Sequence, residues 1–420
     1  MLSKTNIVIS FVLAFTIIGC QSAEKQSDTR VITGAANLAE NNYEQLQGKK
    51  VGLVTNHSAV VDSTILIDLL HEADGVELTA LFSPEHGIRG DADAGAYIED
   101  SEDEKTGVPI YSLYGENRKP TPEMLEDVDI LVFDMQDVGA RFYTYISTMG
   151  YTMQAAAEND IPYVVLDRPN PLGGKMVEGF IPELESDSFV GLYPIPVTHG
   201  MTTGELAKMI KGESYLENLD DLDLEVVKNR GWERDMLWPD MNLSWIPPSP
   251  NIPDFETALI YPGACLFEAT HISEGRGTES PFILIGAPWA DGEALAAELN
   301  KKDLPGLEFE PSVFTPESIE GMSTEPKLEG EELEGIRYKV TDKEKVQPVA
   351  AGIHVLLTFY NAAPDSTKED FFRAGRLNTL AGSDVFHDMI MDGESAEEII
   401  EKWKEKTDSF KKDREPYLLY

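Results

Sequence analysis

Apolar runs of strand length alternate with helically spaced segments through the first half of the chain. Lys50 to Thr55 (KVGLVT), Val76 to Phe82 (VELTALF), Val128 to Phe133 (VDILVF) and Tyr163 to Leu166 (YVVL) are short and dominated by Val, Ile and Leu. Between them, Asp62 to His71 carries Ile65, Ile67, Leu69 and Leu70 at helical spacing, and Thr144 to Glu158 reads as a helix. Continuous apolar strands separated by helices predict a parallel sheet covered on both faces. Each strand ends in polar residues with Gly or Pro: Asn56-His57-Ser58, Ser83-Pro84-Glu85-His86-Gly87, Asp134-Met135-Gln136-Asp137 and Asp167-Arg168-Pro169-Asn170-Pro171. Ligands of open α/β sheets bind beyond the carboxyl ends of the strands, so four such clusters on one edge predict a polar site there.

The pattern changes twice. Gly173 to Pro262 is rich in Pro, Trp and Gly, with Trp232, Trp238 and Trp245 close together. Its stretch Trp245 to Pro253 (WIPPSPNIP) is excluded from a helix interior or a central strand, and predicts an ordered loop walling the pocket. After Tyr261 the reading is α+β: strands at Phe282 to Ala287 and Ile336 to Val340, helices at Asp291 to Asn300, Pro348 to Asn361 and Ser395 to Lys406. Glu317 to Glu334 is acidic and reads as a solvated excursion. The 420-residue length predicts two domains.

The N-terminus predicts export. Lys4 precedes an apolar run, Ile7 to Ile18, that is shorter than the roughly 20 residues needed to span a bilayer. Gly19-Cys20, with Ile17 three positions before the cysteine, has the form of a bacterial lipobox. Residues 1–19 are thus expected to be a lipoprotein signal peptide, Cys20 the lipidation site and 20–35 a tether. The expected location is the cell envelope, with membrane contact through the N-terminal lipid only.

Composition narrows the chemistry. The chain has 34 basic and 75 acidic residues, a formal net charge of −41. That argues against a nucleic-acid partner, and an anionic ligand would need local arginines to offset the field. Once Cys20 is modified only Cys265 remains, so no intramolecular disulfide can form; the apolar context YPGACLFEA makes Cys265 a packed side chain. The seven histidines are scattered and none forms a close helical pair, so no metal is expected. No Gly-x-Gly-x-x-Gly or phosphate loop follows the first strand, and there is no Gly-x-Ser-x-Gly elbow; no cofactor is expected.

Three clusters remain as candidate chemistry. Glu85 sits in SPEHG directly after a strand, where partial desolvation would raise a carboxyl toward general-acid use. Asp134 and Asp137 flank Gln136 just before Gly139-Ala140-Arg141-Phe142-Tyr143, suiting hydroxyl-rich ligands, a second catalytic carboxylate or a helix cap. Thr270-His271-Ile272-Ser273-Glu274-Gly275-Arg276-Gly277-Thr278 packs His, Glu and Arg between small residues, as a binding loop does.

GLVTNHSAV (Gly52 to Val60), LFSPEHGIRG (Leu81 to Gly90), VFDMQDVGARFYTY (Val132 to Tyr145), LDRPNPLGG (Leu166 to Gly174) and ATHISEGRGTESPF (Ala269 to Phe282) resemble, in the same order, the exo-acting β-N-acetylmuramidases, the NamZ-like glycoside hydrolases. The likeness runs from about Ala36 to the C-terminus. It implies a Rossmann-like N-terminal domain (36–262), a smaller α+β C-terminal domain (263–420) and a site in the cleft between them. The implied activity is release of N-acetylmuramic acid from the non-reducing end of peptidoglycan fragments, making peptidoglycan-derived saccharides the expected partners. The SPEHG motif puts the catalytic acid at Glu85, and the ISEGRGT motif puts a second acidic participant at Glu274. Two carboxyl groups lie roughly 5 Å apart for retention and 6.5–9.5 Å for inversion, unless the substrate's acetamide assists. Arg141, Arg168 and Arg276 are the candidates for a fork to the lactyl carboxylate of the substrate. Asn56, His57, His86, Asp134, Gln136, Tyr143 and His271 are the remaining binding candidates, and Trp245 or Tyr193 could stack on a sugar face. A muropeptide-binding lipoprotein without turnover, or a hydrolase of another acidic sugar or an ester, are the rival expectations.

Overall fold

Seven strands form the first sheet: β1 (Lys50–Thr55), β2 (Glu77–Ser83), β3 (Ser101–Glu102), β4 (Pro109–Ser112), β5 (Ile130–Asp134), β6 (Tyr163–Leu166) and β7 (Leu224–Val227). The structure, a computed structural model, describes residues 30–84, 87–88, 101–115, 117–182 and 188–420; Cys20, Glu85 and His86 lie outside them. The sheet order is β3-β4-β2-β1-β5-β6-β7, parallel throughout except where β3 joins β4. The chain builds outward from β1 on one side, then returns to build outward from β5 on the other. The switch point therefore lies between β1 and β5, where a crevice opens beyond the strand ends.

Alternation along the strands explains their continuous apolar character. Leu131, Phe133, Tyr163 and Val165 enter one core, while Ile130, Val132, Val164 and Leu166 enter a second core on the other face. The mixed α/β class with a mainly parallel sheet is as expected. The C-terminal part adds β8 (Leu284–Ala287), β9 (Leu307–Phe314) and β10 (Leu333–Val340), an antiparallel sheet in the order β8-β10-β9, with helices around it.

The two halves share one core. A single cluster of buried side chains runs from Val54 and Phe133 to Phe359 and Trp403. Helix Phe255–Ala264 straddles the expected boundary and crosses helix Pro348–Ala362 so closely that a Cβ on Gly352 would lie 2.4 Å from the Gly263 Cα. Polar ties reinforce the joint. The Arg414 guanidinium donates to the carbonyls of His199 (2.7 Å), Gly200 (2.7 Å) and Gly174 (2.9 Å). The phenol of Tyr420 donates to Asp167 Oδ2 at 2.6 Å and accepts from the Asn229 N–H at 2.7 Å. Burial pushes the Asp167 carboxyl up to about 7, against hydrogen bonds from Tyr420, Gly204 and Thr202.

Residues 245–253 are loop, as expected, while the rest of residues 173–262 holds helix Thr203–Gly212, strand β7 and the start of helix Phe255–Ala264. The first of these is nucleated by a capping box in which Thr202 and Glu205 satisfy each other's backbone N–H groups, while β7 exists because β6 offers it an edge. One expectation needs correction: residues 317–334 are not simply solvated. The Glu317 N–H donates to the Gly277 carbonyl at 2.8 Å, Leu333 and Glu334 open β10, and Lys327 turns inward onto Glu274. A buried carboxylate draws that lysine out of solvent.

Replacing Tyr420 with Phe keeps the ring and removes one donor from a buried carboxylate. We expect a loss of about 1–3 kcal/mol of folding stability, read as a lower urea midpoint; an unchanged midpoint would mean that the tie contributes nothing.

Candidate active site

The crevice is built from short polar turns locked to each other. After β1, Asn56 Oδ1 accepts from the Ser58 N–H (3.0 Å) and hydroxyl (2.6 Å), and Ser58 Oγ accepts from the Gln136 N–H at 3.1 Å. Gln136 Nε2 donates to the carbonyls of Asp137 (2.8 Å) and Pro169 (3.0 Å). Asn56 Nδ2 and Gln136 Oε1 are buried with no partner among the described residues, so the donors of one and the lone pairs of the other are unused. Asp134 and Arg168 form a buried bidentate pair, through Nε and through Nη2 at 2.9 Å. Burial raises the Asp134 pKa and the Arg168 charge opposes it. Ser58, Gln136 and Arg168 also line a cavity of about 510 Å³, with Val60, Trp238 and Ile246.

Asp137 occupies the turn after β5. Burial drives its carboxyl up to about 7, against hydrogen bonds from the Gly139 and Val138 N–H groups. His199 Nε2 lies 3.9 Å from Asp137 Oδ2, and His199 Nδ1 accepts from the Met201 N–H at 3.3 Å. That contact assigns the remaining ring proton to Nε2, facing Asp137. Burial, Arg414 and Arg141 push the His199 pKa down to about 3, so the imidazole is neutral.

The two halves meet across a second, smaller cavity. Tyr143 and Tyr145 come from the first half, Ser249 and Asn251 from the Pro-rich segment, and Arg276 and Phe282 from the second half. Its volume of about 60 Å³ has room for roughly two waters, enough for a carboxylate or acetyl group but not for a sugar ring. The Pro-rich segment is the expected wall: Tyr145 donates to the Pro248 carbonyl at 2.6 Å, His57 Nε2 sits 2.7 Å from the Pro247 carbonyl, and Asn251 Nδ2 donates to Met322 at 2.7 Å.

Arg276 reaches this cavity because its loop turns sharply. Gly275 and Gly277 have φ of +78° and +80°, and a Cβ on Gly277 would fall 2.6 Å from Pro326. Glu274 is buried, 2.6 Å from Lys327 Nζ and 3.6 Å from Arg276 Nε. Arg276 Nη2 donates to Glu268 at 2.8 Å, and its guanidinium lies 5.0 Å above the Phe282 ring. Burial works against ionising Glu268, but Arg276, Arg376 and Lys327 outweigh it and hold the carboxyl below its usual range. Burial likewise opposes the Arg276 charge, which Glu268 and Glu274 more than restore.

The predicted residues thus divide. Asn56, Asp134, Gln136 and Arg168 meet at the strand ends; Tyr143 and Arg276 meet at the small cavity beside Glu274. Arg141 does not belong to either group, which corrects its assignment as a ligand fork. It is fully buried and donates to the carbonyls of Phe180 (2.8 Å), Ile195 (3.1 Å) and Leu380 (2.7 Å), and burial lowers its pKa to about 9. Tyr193 is likewise buried and donates to the Ile146 carbonyl at 3.1 Å, so it cannot stack on a sugar. His271 is exposed, with its backbone N–H on the Phe371 carbonyl. Sequence reasoning missed His199, Asn251, Glu268 and Lys327. Only Glu268 carried a local signal, as a lone charge inside the apolar run before the ISEGRGT loop.

Two family descriptions match in succession: "Exo-beta-N-acetylmuramidase NamZ, N-terminal" over residues 51–256 and the C-terminal counterpart over 259–420. The chain belongs to the NamZ family. Among NamZ proteins, the peptidoglycan β-N-acetylmuramidase NamZ of Bacillus subtilis (strain 168) is 47% identical over 401 residues, 95% of this chain and 93% of that one. Crystal structures of two DUF1343 family proteins from Bacteroides fragilis NCTC 9343 share the fold. One has a TM-score of 0.86 at 39% identity and the other 0.76 at 35%, each covering 93% of this chain and 99% of its own.

The Asp137 environment makes a signed prediction for this NamZ family member. Its folded pKa of about 7 lies above the ordinary value of 3.8, so folding binds a proton that the unfolded chain releases. Stability from this group falls as pH rises from about 4 to about 7 and is level above. Asp137→Asn cannot titrate, so its Tm relative to wild type should climb across that window. A pH-independent Tm difference would contradict the buried, unpaired carboxylate.

Proposed function

We propose that this chain is an exo-acting β-N-acetylmuramidase, hydrolysing the bond that links a non-reducing-end N-acetylmuramic acid to the rest of a peptidoglycan fragment. The observation that carries the reading is the NamZ match across both halves, because the candidate site takes residues from each. Glu85 follows β2 by two positions in the SPEHG motif and serves as general acid, protonating the leaving oxygen as the glycosidic bond breaks. Glu274, held between Lys327 and Arg276, is the anionic participant. Asn56 Nδ2 and Gln136 Oε1 are suited to ring hydroxyls or an acetamide.

Charge accounting supports Arg276 as the arginine for the lactyl carboxylate. Arg141 is committed to three carbonyls and Arg168 is matched by Asp134. Arg276 lines a cavity of the right size for that group and is the receptor. The enzyme works at the cell envelope, tethered through a lipid on Cys20; the lipobox at Gly19-Cys20 and the polar stretch behind it support this. Among the described residues no helix is long and apolar enough to cross a membrane.

Glu85→Gln keeps the size and removes the proton. Release of N-acetylmuramic acid from a disaccharide, whose poor leaving group needs the proton, should fall by about 100-fold or more while saccharide binding persists. Wild-type turnover by that variant would dismiss Glu85 as the acid. Binding without release by the unaltered protein would instead favour a muropeptide-binding lipoprotein. Cys20→Ser should move the expressed protein from the membrane pellet to the soluble fraction, and continued sedimentation would rule out the lipid anchor.

A further inference from the structure

The ion network behind the small cavity is unevenly charged. Arg276 contacts both Glu268 and Glu274; Arg376 shares Glu268 at 3.2 Å, and Lys327 pairs with Glu274 at 2.6 Å. Among the described residues, three cations therefore meet two carboxylates. Without Lys327, two guanidiniums would face two carboxylates, and Arg276, contacting both anions, would have no charge in excess. Lys327 supplies that excess from behind, since it does not line the cavity.

Its placement is built rather than incidental. The Lys327 ammonium donates to the carbonyls of Phe267 (2.7 Å) and Thr270 (3.1 Å) as well as meeting Glu274. Pro326 packs against Gly277, and the Glu317 N–H holds the Gly277 carbonyl, so the excursion is docked on the Arg276 loop itself. The two carbonyls could be satisfied by any neutral donor. Only the contact with Glu274 needs a charge.

We propose that Lys327 is a specificity-determining positioning residue: by compensating Glu274 it leaves Arg276 with net positive charge for the carboxylate of an acidic sugar. In a chain of net charge −41 the average field repels an anion, so local excess positive charge is what admits one. The inference rests on the reading of Arg276 as the receptor for the lactyl group.

The test compares binding of free N-acetylmuramic acid with binding of its lactyl methyl ester, the same molecule without the charge, by calorimetry. In the wild-type protein the acid should bind more tightly than the ester, and the gap should shrink with added salt. Lys327→Gln should weaken the acid by about tenfold, the scale of one charge removed from roughly 10 Å away at an effective dielectric of about 20, and leave the ester nearly unchanged. Lys327→Arg should restore the acid. Equal weakening of acid and ester, or no change in either, overturns the proposal and leaves Lys327 a structural tie. If Lys327→Gln does not fold, the wild-type comparison still decides: an acid and ester bound equally well at every salt concentration overturn it. A wild-type protein that binds the acid selectively yet releases none from glycosides refutes the enzymatic reading while leaving this one standing.

Discussion

Burial of both faces of the parallel sheet is the constraint from which the site follows. Every central strand carries apolar side chains up and down, so polar groups are tolerated only where the strands stop. Thr55, Ser83, Asp134 and Asp167 all mark such ends, and each is buried. A buried polar group without a partner is costly, which forces these ends to bond with one another across the switch point. The Thr55 hydroxyl on the Asp134 carbonyl at 2.9 Å and Ser58 between Asn56 and Gln136 are the result. The few polar atoms left over, such as Asn56 Nδ2 and Gln136 Oε1, keep unused hydrogen-bonding capacity.

Charge follows the same logic with higher stakes. An ionised group removed from water needs a matched counter-charge or strong hydrogen bonds. Asp134 is matched one to one by Arg168, Arg141 is spread over three carbonyls, and Asp137 has backbone N–H groups but no matched cation, so burial prevails and its carboxyl is pushed up to about 7. The Glu268, Glu274, Arg276, Arg376 and Lys327 network is the departure from strict pairing. Among the described residues its cations outnumber its carboxylates, in a chain that is otherwise heavily negative.

The rigidity of that cleft comes from a core that does not stop at the domain boundary. Gly263 and Gly352 let two helices touch backbone to backbone, while Arg414 and Tyr420 bring the chain's end back to the turns after β6. The Pro-rich wall is pinned at Pro247 and Pro248 from the first half, and through Asn251 to Met322 of the second.

What the sequence determined by itself was local: strand length, apolar continuity, the polar residues that terminate each strand, and the glycines that let the ISEGRGT loop turn. These depend on near neighbours, so the parallel sheet, the crevice edge and the family were legible from the residues alone. The fate of a charge is not local. Arg141, Arg168 and Arg276 each sit in a family block and look alike as candidates, yet one is locked in the core, one is neutralised and one faces the cavity. Lys327 looked like part of a solvated acidic stretch, and His199 had no visible partner. Packing decided these cases, because the energy of a charge depends on the groups around it, and those arrive from positions tens to hundreds of residues away.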